Sequence, residues 1–281
     1  MAGLLKGKDV ADALNAKMSA DVESLKANGV TPTLAIVRVG ERPDDISYEK
    51  GATKRAETVG VAVKNVLLPQ DVTQDALLSA ILGLNADKSV HGVLLFRPLP
   101  KHLDEETIRN SLAPEKDVDG ITDGSLVGVF TGNGRGYPPC TAQACMEILD
   151  YYGVDCKGKR AVVVGRSLVV GKPAAQMLLA KNATVTTCHT RTVDMPGVVK
   201  NAEIVIVAAG KAGAVTKDYV SDGQVIVDVG INVNAEGKLC GDVAFDEVEQ
   251  IVGAITPVPG GVGSVTTSVL VSHVVDAAKK A

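Results

Sequence analysis

Residues 161–173 constrain the fold more than any other stretch. They begin with four small or β-branched apolar residues, Ala161 to Val164, which indicate a strand buried on both faces. Gly165 ends the strand, Gly171 follows, and Pro173 suits the first turn of a helix. Such a loop offers free backbone N–H groups at a positive helix end, where a dinucleotide pyrophosphate binds. Because the spacing is G-x-S-x-x-x-G rather than G-x-G-x-x-G, an ordinary strand-to-helix turn stays an alternative.

Strands and helices alternate in the part of the chain before this loop. Apolar runs predict strands at 34–39, 63–68 and 92–96, and helical spacing predicts helices at 7–27, 47–59 and about 73–87. This alternation is typical of a parallel sheet covered by helices. Residues 117–124 and 130–139 are rich in turn-forming residues and lack periodicity, so we expect the chain to cross to a second domain there.

The second half repeats the pattern. A helix is predicted at 141–152, a closing helix at 265–278, and strands at 161–164, 184–188, 204–208 and 225–229. We therefore predict an α/β protein of two domains, residues 1–139 plus 265–281 and residues 140–264. The second domain is Rossmann-like, and the C-terminal helix packs back on the first domain.

Composition excludes several classes of protein. The 281 residues are 46% hydrophobic, and their net charge of −4 argues against nucleic acid as the main partner. No apolar run approaches the roughly 20 residues of a membrane span, and the first residues do not resemble a signal peptide. The five cysteines are scattered without a CxxC pair, so we expect reduced thiols in a cytoplasmic protein and no metal site.

The end of the second Rossmann strand bears on the choice between NAD and NADP. NAD proteins commonly place an acid there, whereas NADP proteins place a cation beside the 2′-phosphate. Here no acid occurs until Asp194, while Arg191 can fork onto a phosphate, His189 can add a hydrogen bond, and Arg166 lies in the glycine loop. We therefore expect NADP, the alternative being that Arg191 merely faces solvent.

Three further loops follow strand ends in this half, at 208–210, 228–232 and 257–263. Ligands bind at the carboxyl ends of strands in open α/β sheets. Gly260 and Gly261 would let the backbone come close to a nicotinamide or a substrate. Each loop alone could be an ordinary turn, but three at one edge indicate a ligand site.

Several short motifs occur together and in order, at residues 114–120, 139–141, 165–173, 188–189, 228–232, 241–243 and 257–263. Over roughly residues 34–271 the chain resembles the FolD-type methylenetetrahydrofolate dehydrogenase/cyclohydrolase family. The resemblance implies a homodimer that binds folate between its two domains. It also implies NADP-linked oxidation of 5,10-methylene- to 5,10-methenyl-tetrahydrofolate, followed usually by hydrolysis to 10-formyl-tetrahydrofolate.

The resemblance also implies the site residues. The catalytic residues would be Tyr48 and Asp119, and substrate would be bound by Tyr48, Phe96, Asp119, Pro259, Gly260 and Gly261. The NADP-binding residues would be Gly165, Arg166, Ser167, Gly171, His189, Thr190, Arg191, Ala209, Gly210 and Ile231.

The chain departs from the family at two chemically important positions. The family's Tyr-x-x-x-Lys is here Tyr48 followed by Ala52, and the family's Val-Gln-Leu-Pro-Leu has Phe96 in place of its glutamine. Lys50 and Lys54 are not obvious substitutes for the lysine, because they lie about 160° and 120° around the helix from Tyr48. Two prolines of the family are also replaced, by Ala142 and Ser264.

These departures affect the two reactions differently. Hydride transfer requires alignment and electrostatic stabilisation but no proton transfer, whereas hydrolysis requires general acid–base work that suits the missing lysine. We therefore expect a dehydrogenase with weak or absent cyclohydrolase activity. One alternative is the usual bifunctional enzyme, with Lys54 or Arg97 in place of the lysine. Another is a non-catalytic regulator that binds NADP or folate.

Overall fold

The computed structural model describes residues 2–281 and divides the chain into two compact units. The first unit comprises Ala13–Cys140 and Thr267–Ala281, and the second comprises the residues up to Asp12 and Thr141–Thr266. In chain order the elements are β1 (Gly3–Leu4), α1 (Gly7–Ala27), β2 (Thr33–Val39), α2 (Pro43–Val59), β3 (Ala62–Leu68), α3 (Gln74–Ala86), β4 (Gly92–Leu95), α4 (Glu105–Ser111), α5 (Asp123–Thr131), α6 (Cys140–Tyr151), β5 (Arg160–Val164), α7 (Gly171–Ala180), β6 (Thr184–Cys188), α8 (Met195–Lys200), β7 (Ile204–Val207), β8 (Val225–Asp228), β9 (Asn232–Val233), β10 (Leu239–Cys240), α9 (Phe245–Val248), β11 (Ala254–Ile255) and α10 (Thr266–Ala278).

Each unit is built on a parallel sheet. The first sheet has the strand order β3-β2-β4, and the second has the order β1-β11-β8-β7-β5-β6. The interior strands β2 and β7 are buried almost throughout, which is why the sequence shows them as near-continuous apolar runs. The predicted α/β fold is confirmed. A short antiparallel hairpin of β9 and β10 was not predicted.

The C-terminal helix packs on the first unit, as predicted. Leu270 and Val274 of α10 are fully buried. Nδ1 of His273 lies 2.8 Å from the carbonyl oxygen of Val118, and the His273 ring packs on Tyr137 with 4.9 Å between ring centroids. The helix therefore completes the core of a unit whose sheet lies more than 170 residues earlier in the chain.

The amino-terminal segment departs from the predicted domain boundaries. The prediction placed residues 1–139 in the first domain, whereas the residues up to Asp12 belong to the second unit. Strand β1 pairs in parallel with β11, the N–H of Leu5 donates to the Ile255 carbonyl at 2.9 Å, and the N–H of Gly7 donates to Gly260 at 2.8 Å. A strand of two residues is too short to show a periodicity, so this pairing could not be predicted from the sequence.

Two helices differ from their predicted positions. Helix α5 occupies a segment whose two ends were predicted as turns, and it is capped by Thr122, whose hydroxyl accepts the N–H of Ser125 at 3.0 Å. Helix α2 begins at Pro43, four residues before the predicted start, because proline suits the first helical turn.

Candidate functional site

The glycine loop between β5 and α7 has a geometry that only glycine permits. Gly165 has a φ of +135°, and a Cβ there would overlap the carbonyl oxygen of Ala208 at the end of the neighbouring strand β7. A Cβ on Gly171 would overlap the carbonyl oxygen of Gly165. The start of α7 therefore lies directly against the end of β5, which brings its amide groups to the edge of the sheet.

Ser167 holds the loop against the start of α7. Its Oγ accepts the N–H of Val170 at 3.1 Å and the N–H of Gly171 at 3.5 Å. The hydroxyl proton remains available to a ligand oxygen, and the neighbouring Arg166 side chain is exposed. The loop thus offers a hydroxyl donor and a cation beside a positive helix end, a combination that fits a pyrophosphate.

We expect Gly165→Ala to lower the free energy of unfolding by about 2 kcal/mol or more, because it adds both a clash and a strained φ. Gly158→Ala is the matched control, since Gly158 has a φ of +74° with no atom within 4 Å of its would-be Cβ. Urea unfolding of both variants measures the difference. Equal losses in the two variants would show that the contact with Ala208 is unimportant.

A compact turn follows β6 and presents Arg191. The N–H of His189 donates to Oγ1 of Thr192 at 2.9 Å, and Nδ1 of His189 accepts the N–H of Arg191 at 3.1 Å. The Arg191 side chain is exposed and forms no ion pair among residues 2–281. A cation held at this strand end suits a 2′-phosphate.

The nearest acid after this strand is already engaged. Asp194 caps α8, and its Oδ1 accepts the N–H of Gly197 at 3.2 Å. Its carboxylate therefore serves the helix, whereas an NAD protein would direct an acid to the ribose 2′-hydroxyl.

Asp242 organises the loop after β7, a role that sequence reasoning missed. Its fully buried carboxylate accepts the N–H groups of Ala209 at 2.6 Å, Gly210 at 2.8 Å and Lys211 at 2.9 Å, and Nδ2 of Asn232 at 2.9 Å. In the sequence, residues 241–243 are visible only as one of the short motifs shared with the family. The amides of Ala209 and Gly210 point at Asp242, so these two N–H groups are not available to a ligand.

A second carboxylate supports the first. Asp228, at the end of β8, accepts the N–H groups of Asp242 and Val243, each at 3.0 Å. Burial raises the pKa of Asp228 to about 6. The two acids together fix the loops at the carboxyl ends of β7 and β8.

A cavity of about 210 Å³ lies beside these loops and brings together four of the predicted residues. Its lining includes Ile231 together with Pro259, Gly260 and Gly261. Ile231 is 69% exposed, so a ligand would cover an apolar side chain that is now open to solvent. The cavity places these residues of the second unit at the carboxyl edge of its sheet.

In the first unit, the rings of Tyr48 and Phe96 are in contact. Tyr48 lies on α2 and Phe96 directly follows β4, with their ring centroids 5.9 Å apart and their planes at 84°. Phe96 is buried, while Tyr48 is 37% exposed. The position one turn after the tyrosine is Ala52, which is fully buried, and Lys50 and Lys54 are both exposed.

The two acids of the Asp-Val-Asp-Gly motif have different environments. Asp117 is fully buried, and its carboxylate accepts the N–H groups of Ile121 at 3.0 Å and Thr122 at 2.7 Å. Asp119 is only partly buried. Burial and the charge of Asp117 raise the pKa of Asp119 to about 6, while Cys140 and the Arg97 guanidinium act in the opposite direction. Asp117 is therefore structural, and Asp119 is the acid available to a ligand.

Arg97, whose charge acts on Asp119, forms an ion pair with Glu105. Its Nη1 lies 3.4 Å from Oε1 of Glu105, and Oε2 of Glu105 accepts the N–H of Leu99 at 2.8 Å. Since a guanidinium keeps its proton at any ordinary pH, Arg97 can contribute charge here but cannot act as a general base.

Family models match both halves of the chain. Residues 5–119 match the tetrahydrofolate dehydrogenase/cyclohydrolase catalytic domain, and residues 139–281 match the NAD(P)-binding domain of the same family. The chain belongs to the tetrahydrofolate dehydrogenase/cyclohydrolase family. This confirms the resemblance drawn from the motifs.

Relatives in this family cover the whole chain. The bifunctional protein FolD of Carboxydothermus hydrogenoformans is 54% identical over 99% of this chain and 97% of its own length. A crystal structure of the bifunctional FolD enzyme from Campylobacter jejuni has a TM-score of 0.96 at 38% identity, covering 100% of this chain and 99% of that one. The FolD structure from Trypanosoma brucei, solved with NADP and an inhibitor, has a TM-score of 0.91 at 34% identity, covering 99% and 98%.

These comparisons bear on the cofactor and on the second reaction. The NAD(P)-binding domain and the NADP-bound relative support NADP as the cofactor, as predicted. The relatives are named bifunctional, which favours the bifunctional alternative over weak or absent cyclohydrolase activity. Among residues 2–281, no helix is long and apolar enough to cross a membrane, and no three His, Cys, Asp or Glu side chains group as metal ligands.

Proposed function

We propose that this protein oxidises 5,10-methylenetetrahydrofolate to 5,10-methenyltetrahydrofolate with NADP. The observation that carries this proposal is the family match over both halves of the chain. It is supported by 54% identity to a FolD protein across 99% of this chain. Bound NADP would supply the hydride acceptor. The chain's own residues bind and orient the two ligands, and the nitrogen atoms beside the methylene carbon stabilise the cation that remains.

Each predicted group has a role that its environment supports. Asp119 would accept two adjacent N–H groups of the pterin ring, and the exposed part of Tyr48 would stack on that ring beside Phe96. Pro259, Gly260 and Gly261 would contact the substrate through the small cavity that they line.

The predicted cofactor-binding residues fall into three groups according to the part of NADP that each would contact. Gly165, Arg166, Ser167 and Gly171 would hold the pyrophosphate, and His189, Thr190 and Arg191 would hold the 2′-phosphate. Ala209, Gly210 and Ile231 would contact the remainder of the cofactor.

We expect Arg191→Ala to lower kcat/KM for NADP by about tenfold and to leave kcat/KM for NAD unchanged, because only NADP carries the 2′-phosphate. Lys157→Ala, an exposed cation on the same unit, is the matched control. Steady-state kinetics with both cofactors measures the ratio. An unchanged ratio would contradict the assignment of Arg191.

Ring opening to 10-formyltetrahydrofolate is the second candidate activity. The names of the relatives favour it. The fully buried Ala52 and the buried Phe96 favour a slow reaction in this chain, because neither side chain can carry a proton. The absorbance of methenyltetrahydrofolate, followed with enzyme and without NADP, separates the two. If the enzyme opens the ring at a rate per active site comparable to its dehydrogenase turnover, the enzyme is bifunctional. If the absorbance decays at the same rate as in buffer alone, the enzyme is a dehydrogenase only.

The assembly and location of the protein stay predictions. The homodimer follows from the family resemblance, and light scattering of the purified protein would test it. The described cysteines are all free thiols, which fits the expected cytoplasmic location.

A further inference from the structure

A larger cavity, of about 610 Å³, lies in the first unit at the amino-terminal edge of its sheet. Val90 and His91, which line it, immediately precede β4, whereas Phe96 follows the opposite end of the same strand. The predicted folate residues Tyr48, Phe96 and Asp119 do not line this cavity. It is therefore separate from the candidate substrate residues, and the function proposed above does not use it.

The cavity carries an excess of positive charge. Four cationic side chains line it, and Glu115 is the one acidic side chain in the lining; the cations are Lys88, Lys116, Arg135 and Lys280. Among residues 2–281, no acidic side chain forms an ion pair with any of the four. Most exposed lysines and arginines project into open solvent, so the convergence of four around one concave surface favours a bound anion.

Two of these cations are held in place. The Lys116 ammonium donates to the carbonyl oxygens of Leu84 at 2.8 Å and Asp87 at 2.6 Å. Lys280 Nζ lies 5.1 Å from the centroid of the Tyr137 ring, within the range of a cation–π contact. Less side-chain entropy is then lost when an anion binds.

Arg135 is positioned by a glycine-rich segment that the proposed function does not use. Its N–H donates to Oδ1 of Asn133 at 3.0 Å. Its carbonyl oxygen lies so close to Gly128 of α5 that a Cβ there would overlap it. The backbone of Arg135 is thus fixed against a helix, while its side chain is exposed at the cavity.

The floor of the cavity is apolar and contains one further donor. Val90 is 1% exposed and Tyr137 is 7% exposed, so both are parts of the core. Nδ1 of His91 accepts the N–H of Thr33 at 3.2 Å, which leaves the proton of the neutral ring on Nε2. Burial and the Lys116 charge lower the pKa of His91, so the neutral form predominates at neutral pH. A ligand here would meet cations at the mouth and an apolar floor with an imidazole.

We propose that this cavity binds an organic phosphate, a ligand that joins a phosphate group to a compact apolar ring. The phosphate would be bound by Lys88, Arg135 and Lys280. The ring would lie against Ala277, which is partly exposed in the lining, beside the more deeply buried Val90 and Tyr137. The volume is within the range of small-molecule sites, and the proposal does not depend on the dehydrogenase function.

Calorimetric titration with 1-naphthyl phosphate tests this proposal in the full-length protein with NADP present. We expect binding that weakens at least tenfold in the double variant Lys88→Gln/Arg135→Gln and also weakens in Lys280→Gln. The double variant Lys17→Gln/Lys26→Gln is the matched control, because it removes two exposed cations from α1, outside the cavity. Hydrogen exchange should slow in residues 132–137 on addition of the probe.

Inorganic phosphate and 1-naphthol each carry one half of 1-naphthyl phosphate, so they test the contributions of the phosphate and of the ring separately. We expect each to bind at least tenfold more weakly than 1-naphthyl phosphate. The proposal is overturned by absence of binding, by equal weakening in the two double variants, or by exchange that is unchanged in residues 132–137. Inorganic phosphate that binds as tightly as the naphthyl ester would also overturn it, since the apolar floor would then play no part.

Discussion

Asp119→Asn is expected to lower kcat/KM for methylenetetrahydrofolate by about 100-fold. An ionised carboxylate accepts two N–H groups side by side, whereas the carboxamide accepts one and presents its own N–H₂ to the other. Hydrogen bonds to charged groups contribute about 1.5–3 kcal/mol each, and 2.7 kcal/mol corresponds to 100-fold. Initial rates at varied substrate concentration with saturating NADP measure the change.

The pH dependence of the wild-type enzyme should identify the same group. Burial and the Asp117 charge raise the pKa of Asp119 to about 6, and only the ionised form accepts both N–H groups. The dependence of kcat/KM on pH reports the free enzyme, so kcat/KM should fall about fivefold between pH 6 and pH 5 and level off above pH 7. In Asp119→Asn this inflection should disappear.

Asp75→Asn makes the same chemical change on the first turn of α3, where the side chain is exposed. It should leave both the rate and the pH profile unaltered. A profile that keeps its inflection near pH 6 in Asp119→Asn would assign the titration to another group. A kcat/KM within threefold of wild type would remove Asp119 from the proposed site.

The burial of each strand explains how well the sequence predicts it. The interior strands β2, β5 and β7 are covered on both faces along most of their length, so most of their residues are apolar and the run is visible without an alignment. The pairing of β1 with β11 is set by a few backbone hydrogen bonds between two-residue strands. Backbone pairing has no residue signature at that length, so the sequence did not indicate that the amino-terminal segment pairs with the second unit.

The same holds for the candidate site: the sequence shows which residue types are present, but not which distant residues they contact. Glycines at 165 and 171 predict a close approach of backbone, because only glycine tolerates it. The choice between Asp117 and Asp119 depends on which carboxylate the protein's own N–H groups occupy, and those groups belong to Ile121 and Thr122. Asp242 was missed for a similar reason. Its partners at residues 209–211 lie about 30 positions earlier in the chain, so only the fold brings them to it.

The double variant Ala52→Lys/Phe96→Gln is expected to accelerate ring opening of methenyltetrahydrofolate by about 100-fold or more. Hydrolysis needs a group that moves a proton to and from water and the leaving nitrogen, and one such group contributes about 10²–10⁴-fold. Position 52 lies one helical turn beyond Tyr48, so an ammonium there would share the tyrosine's face of α2. Ala52 is fully buried, and Phe96→Gln releases volume beside Tyr48 that the longer side chain needs.

Ala52→Met/Phe96→Gln is the control that separates the effect of the lysine's amine from the effect of its side-chain volume. Methionine is of similar length and has no group that can carry a proton. This variant should open the ring no faster than wild type, while both double variants keep dehydrogenase activity, because hydride transfer needs placement rather than a proton shuttle. If wild type already opens the ring as fast as the lysine variant, its proton is moved by a group other than the side chain at position 52. Lys54 would then be the group to replace, because Arg97 cannot give up its proton.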